Sequence, residues 1–286
     1  MIVWLPSYPK SGNTWLRSFL SSLLFTKDGE ADFEAIKKIS QYPRRSHFKD
    51  LVDDLDNIND LSKNWIPSQT LLNLDNKIKF FKTHHIMCNF GKNNFTNYKN
   101  SFGVIYIVRD PRNVITSLLN HFSKGSYLDA MNFLFDENKV IGVDLKDTTK
   151  KQFGDKEIFT LISSWKTHYN SWKTFKKNFL LIKYENLIDN KDNEFEKIRK
   201  YLNEKLNLTF SDEKFRKAID SNLFYNLKKK EKNEGFEEAE IDKNTGKKNY
   251  FFNLGPKNDF NTLLDQNISK EIENKFHSEM KKLGYI

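Results

Sequence analysis

The sequence predicts an α/β chain built on a parallel sheet, and three stretches carry that prediction. Ile2-Val-Trp-Leu5 is a short apolar run. It passes through Ser7-Tyr-Pro-Lys-Ser-Gly-Asn-Thr-Trp15 into Trp15, Leu16, Phe19, Leu20, Leu23 and Leu24, which recur at helical spacing. Phe102-Gly-Val-Ile-Tyr-Ile-Val108 is nearly continuously apolar and β-branched, as in a strand buried on both faces. It too turns at once into a helix. Pro111 suits the first helical turn, and Val114, Ile115, Leu118, Leu119 and Phe122 follow at helical spacing.

The first turn has the composition of an anion site. Backbone N–H groups and the dipole at a helix start favour negative charge, and Lys10 adds a full positive one. An isolated Lys-Ser-Gly would read as a surface turn capped by Ser11 or Thr14; the strand before and the helix after supply the context of a phosphate or sulfate loop. Lys10 precedes the loop's only glycine, so this is not the Gly-x-x-x-x-Gly-Lys loop of nucleoside triphosphatases. Tyr8-Pro-Lys-Ser-Gly-Asn-Thr-Trp15 closely resembles the 5′-phosphosulfate loop of sulfotransferases that use 3′-phosphoadenosine-5′-phosphosulfate (PAPS). The resemblance implies that Lys10, Ser11, Gly12, Asn13, Thr14 and Trp15 bind the cofactor, with Lys10 also catalytic and Trp15 against one face of the adenine.

Length and composition set the bounds. A chain of 286 residues with 25 Phe and 5 Trp can bury a sizeable core in one large α/β domain, and no internal repeat or domain boundary stands out, so a single domain over 1–286 is expected. The single cysteine, Cys88, excludes an intrachain disulfide and a multi-cysteine zinc site. No apolar run approaches the roughly 20 residues of a membrane span, and the start lacks a secretory pattern; the expectation is a soluble, cytoplasmic protein. The net charge of +9 favours an anionic partner. The basic runs at Lys228–Lys232 and Lys243–Lys248 are broken by acids and polar residues, which suits a solvated segment better than a nucleic-acid stripe.

Along the chain, 27–76 is rich in Asp, Asn and Lys. Phe33, Ile36 and Ile39 suit one short helix, and Leu51, Leu55 and Ile58 another. Ile78-Lys-Phe-Phe-Lys-Thr-His84 reads as a strand ending in polar residues. Ligands of open parallel sheets sit beyond the carboxyl ends of strands, which places Lys82 and His84 at that end, with His85 pointing the other way. Residues 123–157 read as a long polar excursion with short helices. Ile158–Phe175 has helical spacing, with His168 as a partly buried helix residue. Phe179–Glu185 reads as a strand carrying Tyr184. Phe195, Ile198, Leu202 and Leu206 mark a helix, Ser221–Leu227 opens another, Glu231–Lys248 reads as a charged lid with little to bury, and 268–283 closes the chain as an amphipathic helix.

The same resemblance extends over nearly the whole chain. It makes His84 the general base, with Lys82 in support. Arg109-Asp-Pro-Arg, with Ser117 eight residues after the first arginine, resembles the family's 3′-phosphate site, and a guanidinium with a hydroxyl suits a phosphate monoester. Tyr184 would contact the adenine and Phe224 would stack on its second face. The family carries Arg-Lys-Gly near the end; here Asn253 and Leu254 precede Gly255, which leaves Asn253, Lys257, Lys247 and Lys248 as candidates for the remaining 3′-phosphate contact. The fold implied is three-layered, a central parallel sheet flanked by helices, related to the P-loop nucleoside triphosphate hydrolases. The activity implied is in-line sulfuryl transfer from PAPS to a hydroxyl or amine of a small molecule, leaving PAP, with no metal and no nucleic acid. Two other classes remain: a kinase using Lys10 and Asp110 with magnesium, and a basic nucleic-acid-binding protein. The residues do not choose among sugar, lipid, phenol or peptide-like acceptors, nor do they set an oligomeric state.

Overall fold

Ile2, Val3, Trp4 and Leu5 have no exposed surface, which places the first strand inside a sheet and not at its edge. In the computed structural model, which describes residues 1–121, 125–142, 158–241 and 248–286, β1 (Ile2–Pro6) lies between β2 (Lys79–Thr83) and β3 (Ser101–Val108), parallel to both. A fourth strand, β4 (Phe179–Lys183), completes the order β2-β1-β3-β4. Register sets Leu5 opposite Lys82, Pro6 opposite Thr83 and Trp4 opposite Val104. All four strands lie where the sequence predicts them; β4 stops two residues earlier than expected, because Tyr184 already opens a helix.

The helices in chain order begin with α1 (Asn13–Phe25), α2 (Phe33–Ile36), α3 (Ile58–Lys63), α4 (Trp65–Leu72), α5 (Pro111–His121) and α6 (Tyr127–Phe135). They continue with α7 (Trp165–Lys173), α8 (Tyr184–Asp189), α9 (Lys191–Leu206), α10 (Asp212–Ser221) and α11 (Phe224–Glu234). The last two are α12 (Phe260–Leu263) and α13 (Gln266–Leu283). Phe122 and much of the expected excursion at 123–157 lie outside the described residues. Two expected helices are corrected. Leu51 and Leu55 lie in turns, and the helix starts only at Ile58, where the Asn57 side chain accepts from the N–H groups of Asn59 and Asp60. Ile158–Phe175 is not one helix: Thr160–Leu161 pairs antiparallel with Val140–Ile141, and Ser164 then caps α7 by accepting from Thr167 N–H.

The chain forms two compact units. One comprises Met1–Pro9, Ser40–Val108 and Phe133–Leu181. Its core is aromatic: Trp4 meets Tyr42, Phe95 and Trp172 at 5.4, 5.7 and 6.0 Å and donates from Nε1 to Ser101 Oγ. The other comprises Lys10–Ile39, Arg109–Asn132 and Ile182–Ile286. There α1 buries Leu16, Phe19, Leu20 and Leu23, each stabilising by about 1.5–3 kcal/mol. Phe19 packs 4.2 Å from Phe195 on α9 and 6.0 Å from Phe215 on α10.

Candidate active site

The loop at the start of α1 reverses sharply before it enters the helix. Lys10 (φ 65°) and Gly12 (φ 97°) both take the left-handed conformation, the kind of reversal that turns successive N–H groups to one side. Gly12 is the N-cap, so no side chain caps the first turn. Ser11 is buried, and its Oγ has no hydrogen-bond partner among the described residues. The Lys10 ammonium lies 4.8 Å from the centre of the Phe251 ring. Thr14 Oγ1 donates to Glu238 Oε2 at 2.8 Å, and Glu238 Oε1 accepts from the buried Arg17 at 2.6 Å. Asn13 is buried at the first position of the helix.

The second turn is tied to the first. Arg109, just after β3, donates from Nη1 to the Lys10 carbonyl at 3.0 Å, and its guanidinium sits 4.0 Å over the Tyr184 ring. Ser117 is half-buried on α5. Asp110 is held by Arg112 through both carboxylate oxygens, at 2.6 to 3.2 Å, and Arg112 also reaches Glu273 at 2.5 Å. That carboxylate is committed to a cation of its own chain, which does not favour a magnesium-dependent kinase. Burial raises the Glu185 carboxyl above its ordinary range, where it accepts from Asp110 N–H and from the Tyr285 hydroxyl.

The aromatic residues assigned to the adenine lie in the same unit. Trp15 is nearly buried, edge-on to Tyr184 at 5.6 Å and to Phe195 at 6.2 Å, with Nε1 lacking a hydrogen-bond partner among the described residues. The Phe224 ring occupies the place of a side chain at Gly255: a Cβ there would lie 2.4 Å from the ring, and the backbone φ is 55°. Only glycine serves both demands. Where the sequence departs from Arg-Lys-Gly, Asn253 and Leu254 line a groove of about 480 Å³ with Lys228, Lys229, Lys232 and Lys257. Lys228 Nζ donates to the Asn253 carbonyl at 2.7 Å. Lys247 and the side chain of Lys248 lie outside the described residues.

The expected lid is corrected at its start. Residues 231–234 continue α11, and Glu231 has no exposed surface. Its carboxylate accepts from Phe251 N–H at 2.7 Å and from Phe252 N–H at 2.9 Å, which fixes the backbone leading to Gly255. Sequence reasoning misses Glu231, Glu238, Arg17 and Lys228 as site residues. The one usable signal is Leu227 four residues before Glu231, one buried helix face among lysines.

In the other unit, Ser7 N–H donates to the Thr83 carbonyl at 3.2 Å, which sets the His84 ring beside the residues after β1. His84 Nδ1 lies 2.7 Å from the Ser7 carbonyl and 3.4 Å from Ser7 Oγ. A carbonyl only accepts, so Nδ1 carries a proton, and in the neutral ring Nε2 is left as the proton acceptor. Lys82, two residues before, is half-buried near the end of β2, and its backbone bonds with Ser40 and Tyr42. His85 is a core residue, stacked on Phe95 at 4.3 Å, with burial lowering its pKa to about 4. His168 is fully buried, deeper than the sequence suggests, and burial lowers its pKa to about 3.

Comparison with solved structures shows the fold. The chain is similar to mouse sulfotransferase SULT7A1 complexed with PAP, with 17% identity, a TM-score of 0.56, and 97% of this chain and 84% of that one covered. It is also similar to retinol dehydratase in complex with androsterone and inactive cofactor PAP (15%, 0.54, 98% and 80%) and with retinol and PAP (16%, 0.56, 98% and 81%). These likenesses place it in the P-loop-like α/β architecture, a central parallel sheet flanked by helices. No curated protein matches the sequence. The model of the sulfotransferase domain matches residues 2–284, and a match of that breadth shows the family: the chain belongs to the sulfotransferases.

Proposed function

We propose that this chain works as one domain that moves a sulfuryl group from PAPS to a hydroxyl or amine of a small-molecule acceptor. The observation that carries the reading is the loop at Lys10–Gly12, with its uncapped helix start and the buried, unpartnered Ser11 Oγ. A buried hydroxyl without a partner is costly, and an oxyanion ligand would relieve it. The similar structures were solved with PAP, and those of retinol dehydratase also with androsterone or retinol, which suggests the cofactor and the size of acceptor.

The residues present fit the cofactor. Ser11, Gly12, Asn13 and Thr14, with Lys10, would hold its 5′ end; Arg109 and Ser117 would hold its 3′-phosphate; Trp15, Tyr184 and Phe224 would hold its adenine. Gly255 lets Phe224 sit close against the backbone there. Lys228 and Lys257 stand beside Asn253 and Leu254, and supply positive charge where the Arg-Lys pair is missing. When bound, PAPS supplies a sulfuryl group activated by its anhydride link to phosphate. His84, oriented by the Ser7 carbonyl, takes the acceptor's proton at Nε2. Lys10 would favour the negative charge that develops at the cofactor's 5′ end, and Lys82 would support His84, so that electrostatics carry the acceleration without a metal. The single cysteine, Cys88, is compatible with a cytoplasmic enzyme.

A thermal-shift titration tests the reading with PAP beside ATP plus magnesium and 5′-AMP. Selective stabilisation by PAP is expected, about 2.7 kcal/mol at a hundredfold excess over Kd. Stabilisation by ATP and magnesium alone would refute it. His84→Ala should keep the PAP shift and lose turnover of PAPS with 4-nitrophenol; loss of the PAP shift would make His84 a structural residue.

A further inference from the structure

We infer that His168 and Tyr106 are positioning residues that hold His84 and the start of the anion loop in one frame. His168 Nε2–H donates to the His84 carbonyl at 3.1 Å, and its Nδ1 accepts from the Tyr106 hydroxyl at 2.7 Å. One neutral tautomer satisfies both bonds, because the carbonyl can only accept and the hydroxyl is left to donate. Tyr8 packs edge-on against the His168 ring at 5.8 Å and donates its own hydroxyl to the Phe133 carbonyl at 3.1 Å.

These contacts close a circuit. Ser7 holds the His84 ring, His84 is held through its carbonyl by His168, and His168 is held by Tyr106. Tyr8, the chain neighbour of Ser7, packs edge-on against the His168 ring. His168, Tyr106 and Tyr8 are all buried, so water does not compete for these bonds. A strand end carrying a lone histidine could swivel; one tied at both its ring and its carbonyl has no soft joint. Burial keeps His168 neutral through the ordinary working range, so the frame itself does not titrate there. Phe or Leu at position 168 would pack as well but would leave the His84 carbonyl and the Tyr106 hydroxyl without their shared partner.

The inference rests on the role proposed for His84, and the experiment separates the two. Protein labelled with ¹⁵N in its histidines reports the protonated nitrogen of each ring, and His84→Gln identifies the His84 signals. Wild type should show His84 as the Nδ1–H tautomer. In His168→Phe the His84 signals should shift toward a mixture of tautomers, with a smaller change in Tyr106→Phe. His168→Gln keeps an N–H for the His84 carbonyl and should restore the wild-type pattern. Leu202→Ala, a buried change on α9, should lower the melting temperature and leave the pattern alone. With PAPS and 4-nitrophenol, His168→Phe should lower kcat about 10- to 100-fold while KM for PAPS changes less than about threefold, as expected for a displaced base. Unchanged His84 signals in His168→Phe, or no recovery in His168→Gln, would overturn the inference. A wild-type protein that does not bind PAP would instead count against the proposed function, and the tautomer measurement would still decide the frame.

Discussion

Replacing Glu231 by Gln isolates what holds the segment before Gly255. The wild-type carboxylate is fully buried and accepts from two backbone N–H groups, Phe251 at 2.7 Å and Phe252 at 2.9 Å. Glutamine keeps one oxygen and turns an NH₂ group toward the other donor. One charge-assisted bond is lost and one buried N–H is left without an acceptor, at about 2–4 kcal/mol together. At about 2–4 °C per kcal/mol for a chain of this size, the melting temperature should fall by about 5–15 °C. Phe251 also lies over Lys10, and Phe252 packs against Phe224 at 6.3 Å, so the extra stabilisation given by PAP should shrink as well. Differential scanning fluorimetry with and without PAP reads both effects. Glu234→Gln on the same helix removes only an exposed pair with Lys230 and should change the melting temperature by less than about 2 °C. A Glu231→Gln protein melting within a degree of wild type would refute the claim that this carboxylate fixes the segment.

Arg109→Ala removes the donor to the Lys10 carbonyl and the cation over Tyr184, and should weaken PAP binding about 10- to 100-fold by calorimetry. Unchanged affinity would end its assignment to the 3′-phosphate. The double change Lys228→Ala, Lys257→Ala should weaken PAP more than 5′-AMP if these lysines stand in for the missing pair; equal losses would place their effect elsewhere. Stability should fall on acidification below pH 6.5. There the unfolded chain protonates His85 and His168, while the folded chain, with their pKa values lowered to about 4 and about 3, does not. Between pH 7.5 and 5.5 the two cost about 2–3 kcal/mol, partly offset by Glu185, whose raised pKa acts in the opposite direction. Urea midpoints at the two pH values check this, and a midpoint that rises at pH 5.5 would contradict it.

What could be read from the sequence was whatever the chain states locally. The strands at 2–6 and 101–108 and the helices that follow them are each encoded within about a dozen residues: an apolar run, a turn residue, then helical spacing. The residues proposed to meet the cofactor at both turns lie inside those same windows, so Lys10, Ser11, Gly12 and Arg109 stand out as candidates from neighbouring residues alone. The failures share one physical cause, which is that the deciding partner is distant in sequence. Ile158 and Leu161 have helical spacing relative to Trp165, but residues 160–161 meet Val140–Ile141 across a short antiparallel pair, and a backbone already bonded sideways cannot enter a helix. Glu231 looks solvated among Lys228, Lys229, Lys230 and Lys232, because composition counts charges without asking which face of the helix each occupies. The two N–H groups that justify burying it come from twenty residues further on. His168 is the sharpest case. Its helical spacing predicts a residue on a helix face, and it is one; its interest comes from a hydroxyl 62 residues away and a carbonyl 84 residues away. Neither partner leaves a trace in the residues around it, since Tyr106 reads as one more apolar position in a buried strand. A local motif therefore points to the groups proposed to meet a ligand, and tertiary structure reveals the contacts that hold those groups in place.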